Sequence, residues 1–281
     1  MTDAARPPLE TFVALCGMPR CGTRQFADYL NRHPRLCIQG EIRSGLVNTI
    51  RATLDAAERA YPEGYAANYA RGKRAQAVAD LFGILSKDRR LFRPEADIHG
   101  CKSPQLERQH GTLGAIVAPA FERLVWLHCI RNPVDCWLSL QAMPWFRDDL
   151  DTFVMRYCTS LKRARAIADG PAPPGLAVTI HPLDLDASIA APDRAGWLAG
   201  HLFAPLGLSP SRQELDDIVA TTANRNATSS TTGRPRPTTL TATDHAGFAR
   251  HVPQLRHAIR AYNARFGTAL GLQLPLAQAA A

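Results

Sequence analysis

The 281-residue sequence predicts an α/β fold, a central and mostly parallel sheet of about five strands with helices on both faces. Three observations carry this expectation. Short apolar runs of strand length recur at residues 11–16, 36–39, 98–101, 124–130 and 176–180. The stretches between them carry helical periodicity or capping signals. Breaker-rich turns follow the first and fourth runs. The composition allows such a fold: 46% hydrophobic and 21% charged residues exclude collagen, coiled coil and wholesale disorder. Residues 1–281 are expected to form a single domain with a core large enough to need no metal or disulfide.

Thr11-Phe-Val-Ala-Leu-Cys16 is short, continuous and apolar, as a buried strand is. Gly17-Met-Pro-Arg-Cys-Gly-Thr23 follows as a turn. Phe26, Tyr29 and Leu30 then recur at i, i+3 and i+4, predicting an amphipathic helix that stops near His33-Pro34. Leu36 to Gln39 reads as a second strand. Residues 45–90 read as helical, with a break at Tyr61-Pro62-Glu63-Gly64. Ile98 to Cys101 reads as a short strand ahead of Lys102-Ser103-Pro104. Leu124 to Ile130 is the strongest strand signal. Asn132-Pro133 opens a helix, because Asn caps well and Pro suits the first helical position. Leu176 to Ile180 is a strand candidate, and Trp197 to Leu206 reads as helical. Eleven of the 23 residues 221–243 are Ser or Thr, with Arg225, Arg234 and Arg236 interspersed, so this stretch reads as a flexible basic loop. Helix resumes from Phe248 to Phe266.

With 33 Lys and Arg against 25 Asp and Glu, the net charge of +8 points to an anionic partner. The charge is spread along the chain, and no zinc-finger or aromatic RNA-binding motif accompanies it, so nucleic acid is not expected. No run approaches the roughly 20 apolar residues of a membrane helix, so no membrane insertion is expected. The polar Met1–Glu10 lacks a signal-peptide core, and the expected location is cytoplasmic. Seven cysteines without a C-x-x-C pair support neither a disulfide framework nor a zinc site.

Two segments carry chemistry. Gly17-Met-Pro-Arg20-Cys21-Gly22-Thr23-Arg24 joins a buried strand to a helix. A helix N-terminus binds phosphate-like anions, and the glycines let the backbone approach a ligand. Arg20 adds a bidentate donor and Thr23 a hydroxyl. The loop is not a Walker A motif, because Thr23 stands where that motif needs lysine. An ordinary tight turn would explain it equally well. The second segment, Arg131-Asn-Pro-Val-Asp-Cys-Trp-Leu-Ser139, follows the best strand. Ligands bind at the carboxyl ends of strands in open α/β sheets, and Arg131 with Ser139 could grip a second phosphate there. Alone, it could be a surface arginine beside a helix cap.

As a pair, P-R-x-G-T and R-N-P-x-D-x-x-x-S resemble the sulfotransferases that use 3′-phosphoadenosine 5′-phosphosulfate (PAPS), which have a P-loop-like fold. His33-Pro34, Gly40-Glu41, Lys102-Ser103-Pro104, Ala177 to Asp184 and Leu202 to Leu208 resemble further segments of that family, in order. Residues 17–43 are locally similar to the tyrosylprotein type, a segment that many bacterial small-molecule sulfotransferases share. The resemblance implies that residues 11–33 bind the 5′-phosphosulfate end, through Arg20, Cys21, Gly22, Thr23 and Arg24. It implies that residues 124–143 bind the 3′-phosphate through Arg131 and Ser139, with Arg234 and Arg236 of the 221–243 loop folding over it. Glu41 is then the general base and Arg20 and Lys102 the leaving-group cations, with no metal. The chain departs from the family pattern at Cys21 and Arg24, where hydroxyl residues are usual, and at His181-Pro182.

The implied reaction is in-line sulfuryl transfer to a hydroxyl or amine of a small metabolite or carbohydrate. Burial would tune the Glu41 pKa upward. His99 is the alternative base. Trp126, Trp137 and Trp197 read as core, and Trp145 as a pocket-rim residue. Residues 42–90, with Tyr61, Glu63, Tyr65 and Tyr69, are expected to line the acceptor pocket. Two other readings remain: a kinase, which wants a Walker lysine and a strand-end Asp, and a non-catalytic nucleotide-binding module.

Overall fold

The structure, a computed structural model, describes residues 10–60, 71–87, 93, 96–222 and 235–274, residues 71–73 as backbone only. Five parallel strands form one sheet in the order β2-β3-β1-β4-β5. At its centre β1 (Thr11–Gly17) lies between β3 (Ile98–Lys102) and β4 (Arg123–Ile130). The edges are β2 (Leu36–Gln39) and β5 (Ala177–Asp184). This is the α/β class that the sequence predicts, a parallel five-stranded sheet.

The alternation of side chains across the pleat explains why the central strands read as unbroken apolar runs. Val13 and Leu15 of β1 and Val125 and Leu127 of β4 enter one core. Phe12, Ala14, Leu124 and Trp126 enter a second core. Helices cover both faces. The first core takes Phe26 of α1 (Thr23–Leu30), Leu138 of α5 (Pro133–Gln141), Phe153 of α6 (Leu150–Asp169) and Phe248 of α10 (Ala242–Phe266). The second takes Val47 of α2 (Ser44–Ala60), Val78 of α3 (Arg71–Leu85) and Ile116 of α4 (His110–Val117).

Several boundaries differ from the sequence reading, each for a physical reason. β5 runs on through Pro182 to Asp184. Pro is excluded from central strands but tolerated on an edge, and β5 is one. Asp184 then caps α7 (Leu185–Ala190) by accepting from the Asp186 and Ala187 amides. The Trp197–Leu206 stretch is not one helix: α8 (Arg194–Leu198) continues as a π turn and a 3₁₀ turn. The basic loop lies between α9 (Arg212–Thr221), which a Ser211–Glu214 capping box opens, and α10, where a Thr241–Asp244 capping box starts the helix inside the stretch read as loop. Arg225 and Arg234 lie outside the described residues, as do Tyr61, Glu63, Tyr65 and Tyr69.

Candidate active site

β1 ends at Gly17 with φ +121°, where a Cβ would stand 2.2 Å from the Cys129 carbonyl oxygen. Only glycine fits there. The chain then turns through Arg20, which at φ 73° sits in the left-handed region. A non-glycine residue held there stores strain of order 1 kcal/mol, and such residues concentrate at ligand-binding turns. Gly22, at φ 95°, starts α1 and contributes no side-chain cap. The start of α1 thus has no side-chain cap from its N-cap residue, and its first-turn amides carry the helix's partial positive charge.

The second segment begins as its sequence dictates. The Asn132 side chain accepts from the Val134 amide at 2.9 Å, and Pro133 occupies the first helical position of α5. Two turns on, Ser139 Oγ accepts from Arg20 Nε at 2.8 Å. The two motifs, 119 residues apart, thus meet directly. Arg131 donates to Asp186 Oδ1 at 3.1 Å and lies 3.7 Å from Asp135 Oδ1. Its carbonyl accepts from the Tyr157 hydroxyl at 2.6 Å. Arg236 also pairs with Asp135, which brings the end of the basic loop to the same place. The Arg20 pKa is lowered, first by burial and then by the charge of Arg131, with Arg236 and Arg24 adding to it. Thr23 is buried at the start of α1, and Arg24 beside it is exposed.

Cys21 departs from its expected place. Its side chain is 1% exposed, turned into the core with Sγ 3.1 Å from Cys136 Sγ, and its amide donates to the Met18 carbonyl. The thiol does not face a ligand, so the loss of a serine hydroxyl at this position takes no donor from the loop.

Across the loop, Lys102 Nζ donates to Glu41 Oε1 at 2.8 Å. Lys102 is 9% exposed and Glu41 47% exposed, so the carboxylate is the solvent-facing member. The surrounding backbone is tied down. Ser103 Oγ donates to the Ile42 carbonyl, the Ser103 amide to the Leu15 carbonyl, and the Lys87 amide to the Glu41 carbonyl. The Glu41 pKa corrects the expectation that burial raises it. Burial is the largest single influence and does push it up. The Lys102 charge and hydrogen bond, helped by Lys87 and Arg24, outweigh burial and hold it below the usual carboxylate value. His99 is corrected as a base. It pairs in register with Phe12 and Cys37 near the start of β3, 1% exposed, with Nε2 2.7 Å from the Ala96 carbonyl. It stands three residues, roughly 10 Å, upstream of the edge where Lys102 lies.

A cavity of about 1170 Å³ opens at this edge. Its walls come from residues 19, 20, 22–24, 41–44, 103–106, 108, 109 and 143–145, with Lys87 and Arg163. Of the described part of residues 42–90, Ile42, Arg43, Ser44 and Lys87 reach it. Trp145 stands at the rim, 58% exposed, while Trp126 and Trp137 are buried in the cores.

Beneath the loop lies a polar network that sequence reading missed. Glu107, fully buried, accepts from the Gly17 amide at 3.2 Å and from Ser160 Oγ. Ser160 also meets His128 Nε2 at 3.1 Å, and His128 Nδ1 meets the Tyr262 hydroxyl at 2.8 Å. Burial raises the Glu107 pKa against these hydrogen bonds, and burial lowers that of His128 to about 3. Cys16, Glu107 and His128 could each turn one ligand atom toward a metal, within 4.8 Å of one another. Both His128 nitrogens and both Glu107 oxygens are already committed to protein partners, so the cluster reads as a brace for the loop. Only a strand-embedded His and a Glu after Lys102-Ser103-Pro104 marked it in the sequence, and neither is distinctive alone.

No family model matches the chain, and no curated protein matches it. Among solved structures it is similar to the sulfotransferase domain of the Synechococcus PCC 7002 olefin synthase, at 14% identity and a TM-score of 0.44, covering 96% of this chain and 99% of that one. No described helix is long and apolar enough to cross a membrane.

Proposed function

We propose that this chain is a PAPS-dependent sulfotransferase acting on a hydroxyl or amine of a small-molecule or carbohydrate acceptor. The observation that carries the reading is the meeting of the two motifs: β1 and β4 are neighbours, and Arg20 of one loop donates to Ser139 of the other. The residues suit a polyanionic nucleotide. Arg20, Arg131 and Arg236 converge on one edge, and the uncapped start of α1 faces the same loop. Bound PAPS would supply the activated sulfuryl group.

Each residue has a role in this reading. Arg20, Arg24 and the α1 N-terminus hold the phosphosulfate end, with Gly22 and Thr23 shaping the turn. Arg131 and Ser139 hold the 3′-phosphate, and Arg236 closes on it. Lys102 and Arg20 stabilise charge growing on the leaving phosphate oxygen. Glu41 is ionised and accepts the acceptor's proton. A carboxylate with a depressed pKa is a weak base, but a loose transition state of the phosphoryl-transfer kind asks little of base strength. No step needs a metal.

The kinase reading gains one feature, since β5 ends in Asp184. That carboxylate is spent on capping α7, and Thr23 still stands in the place of the Walker lysine. Calorimetry separates the readings. 3′-Phosphoadenosine 5′-phosphate (PAP) should bind and ATP should not compete. Arg131→Ala removes a charge-assisted contact of roughly 1.5–3 kcal/mol, so PAP affinity should fall about 10- to 150-fold. Preference for ATP, or unchanged PAP affinity in Arg131→Ala, overturns the assignment. PAP binding without turnover of any acceptor leaves the non-catalytic module instead.

A further inference from the structure

We infer that the acceptor is itself an anion, carrying a carboxylate, phosphate or sulfate group beside the hydroxyl that is modified; this rests on the sulfuryl-transfer reading. The cavity wall is lopsided in charge. Arg43, Lys87, Arg108 and Arg163 line it together with Arg20 and Arg24 of the nucleotide loop, and among the described lining residues the one carboxylate is Glu41. Glu41 is already paired with Lys102. Among the described residues, no carboxylate forms an ion pair with Arg43, Lys87, Arg108 or Arg163. All four are exposed, and four like charges around one cavity repel one another unless a ligand compensates them.

The nucleotide does not account for this wall. Its 3′-phosphate would sit at the end of β4, where Arg131 and Ser139 lie. Arg43 follows β2, Arg108 follows β3, and Lys87 is tied through its amide to the Glu41 carbonyl. In the strand order β2-β3-β1-β4-β5, these residues lie on the opposite side of β1 from β4. Arg163 joins them from α6, whose Ser160 reaches Glu107 next to Arg108. Glu41 stands among these cations. An acceptor hydroxyl presented to Glu41 therefore sits with the rest of its molecule against the basic wall. Trp145 at the rim offers a flat apolar face to a ring. In the transfer the acceptor O–H bond breaks and its proton goes to Glu41. The acceptor oxygen bonds to sulfur, and the bond from sulfur to the 5′-phosphate oxygen breaks with its electron pair left on phosphate.

The test is calorimetry on the PAP-saturated protein with two matched pairs, 4-hydroxybenzoate against 4-hydroxybenzyl alcohol and glucuronate against glucose. Each acid should bind at least about 10-fold more tightly than its neutral partner, and that advantage should shrink with added salt. Arg43→Ala/Arg108→Ala should erase the advantage while PAP affinity stays within about 2-fold. Equal affinity within both pairs, or no measurable affinity for either acid, overturns the anionic acceptor while PAP binding keeps the nucleotide assignment. A double variant that loses PAP affinity as strongly as acid affinity also overturns it, by returning these cations to the nucleotide. Failure of the wild type to bind PAP removes the sulfuryl-transfer reading, and this inference with it.

Discussion

Glu41→Gln perturbs the proposed chemistry at one atom. Glutamine keeps the length of the side chain and a carbonyl oxygen, so Lys102 Nζ, now 2.8 Å from Oε1, still has an acceptor. The charge and the capacity to take a proton are lost. Removing a general base costs about 10²–10⁴-fold in rate, or roughly 2.7–5.4 kcal/mol of transition-state stabilisation. Turnover should fall by that amount while PAP affinity stays within a few-fold, because Arg20, Arg131 and Ser139 are untouched. The pH profile adds a second readout. Glu41 must be ionised to act, so activity rises with pH through its pKa. That pKa is held below the usual value, since the charge and hydrogen bond of Lys102, with Lys87 and Arg24, outweigh burial. Wild-type turnover should therefore show no acid limb from Glu41 above the ordinary carboxylate value of about 4.3. Lys102→Met removes the principal opposing charge and leaves burial as the main influence, so its limb should move to higher pH. The assay is PAP release against pH for the three proteins, with calorimetry of PAP binding alongside. Near-full turnover in Glu41→Gln refutes the base, and an unmoved limb in Lys102→Met refutes the coupling.

Two further predictions concern the frame of the site. Gly17→Ala places a methyl 2.2 Å from the Cys129 carbonyl at φ +121°, so stability should fall by about 3 kcal/mol and the melting temperature by roughly 6–12 °C; an unchanged thermal melt would show that the loop relaxes freely. His128 is held neutral by burial down to about pH 3, whereas in the unfolded chain it takes a proton near pH 6.5. The unfolded state then binds more protons as pH falls below about 6.5, so stability should drop by up to about 1.4 kcal/mol per pH unit, and urea unfolding of His128→Gln should show a shallower slope between pH 4 and 6.5.

The parts of the site that were legible in the sequence are those fixed by local chemistry. Asn132-Pro133 announced a helix start because a cap and a fixed φ act within three residues. The strands β1, β2 and β4 were legible because burial on both faces leaves no polar alternation to confuse them. β5 was half legible, since its exposed edge relaxes the pattern and admits Pro182. Other features depend on what the fold brings together. Helix α6 carries no motif of its own in the sequence, yet it delivers Tyr157, Ser160 and Arg163 to the site. Cys21 sits inside a motif whose residues were expected to face a ligand, and only the turn geometry shows that its thiol points inward. The Glu41–Lys102 pair spans 61 residues, so no local pattern could report the pKa it sets.

The electrostatics of the arginine edge argue for a ligand with more than one negative group. Arg20, Arg131 and Arg236 stand near two carboxylates, Asp135 and Asp186, and Asp135 is shared between Arg131 and Arg236. Arg20 instead donates to a neutral hydroxyl, while its own pKa is lowered by burial and by its cationic neighbours. The arrangement is held in place by the strained turn at Arg20, by Glu107 beneath Gly17 and by the Tyr157 bond to the Arg131 carbonyl. A site that must take in a diphosphate-like tail and a separate phosphate gains from cations held in this way, because preorganised cations need no rearrangement when the anion arrives. In the proposed function the two anion grips, one at the end of β1 and one at the end of β4, suit a ligand with anionic groups on either side of a nucleoside, which a single phosphate or a linear triphosphate does not present.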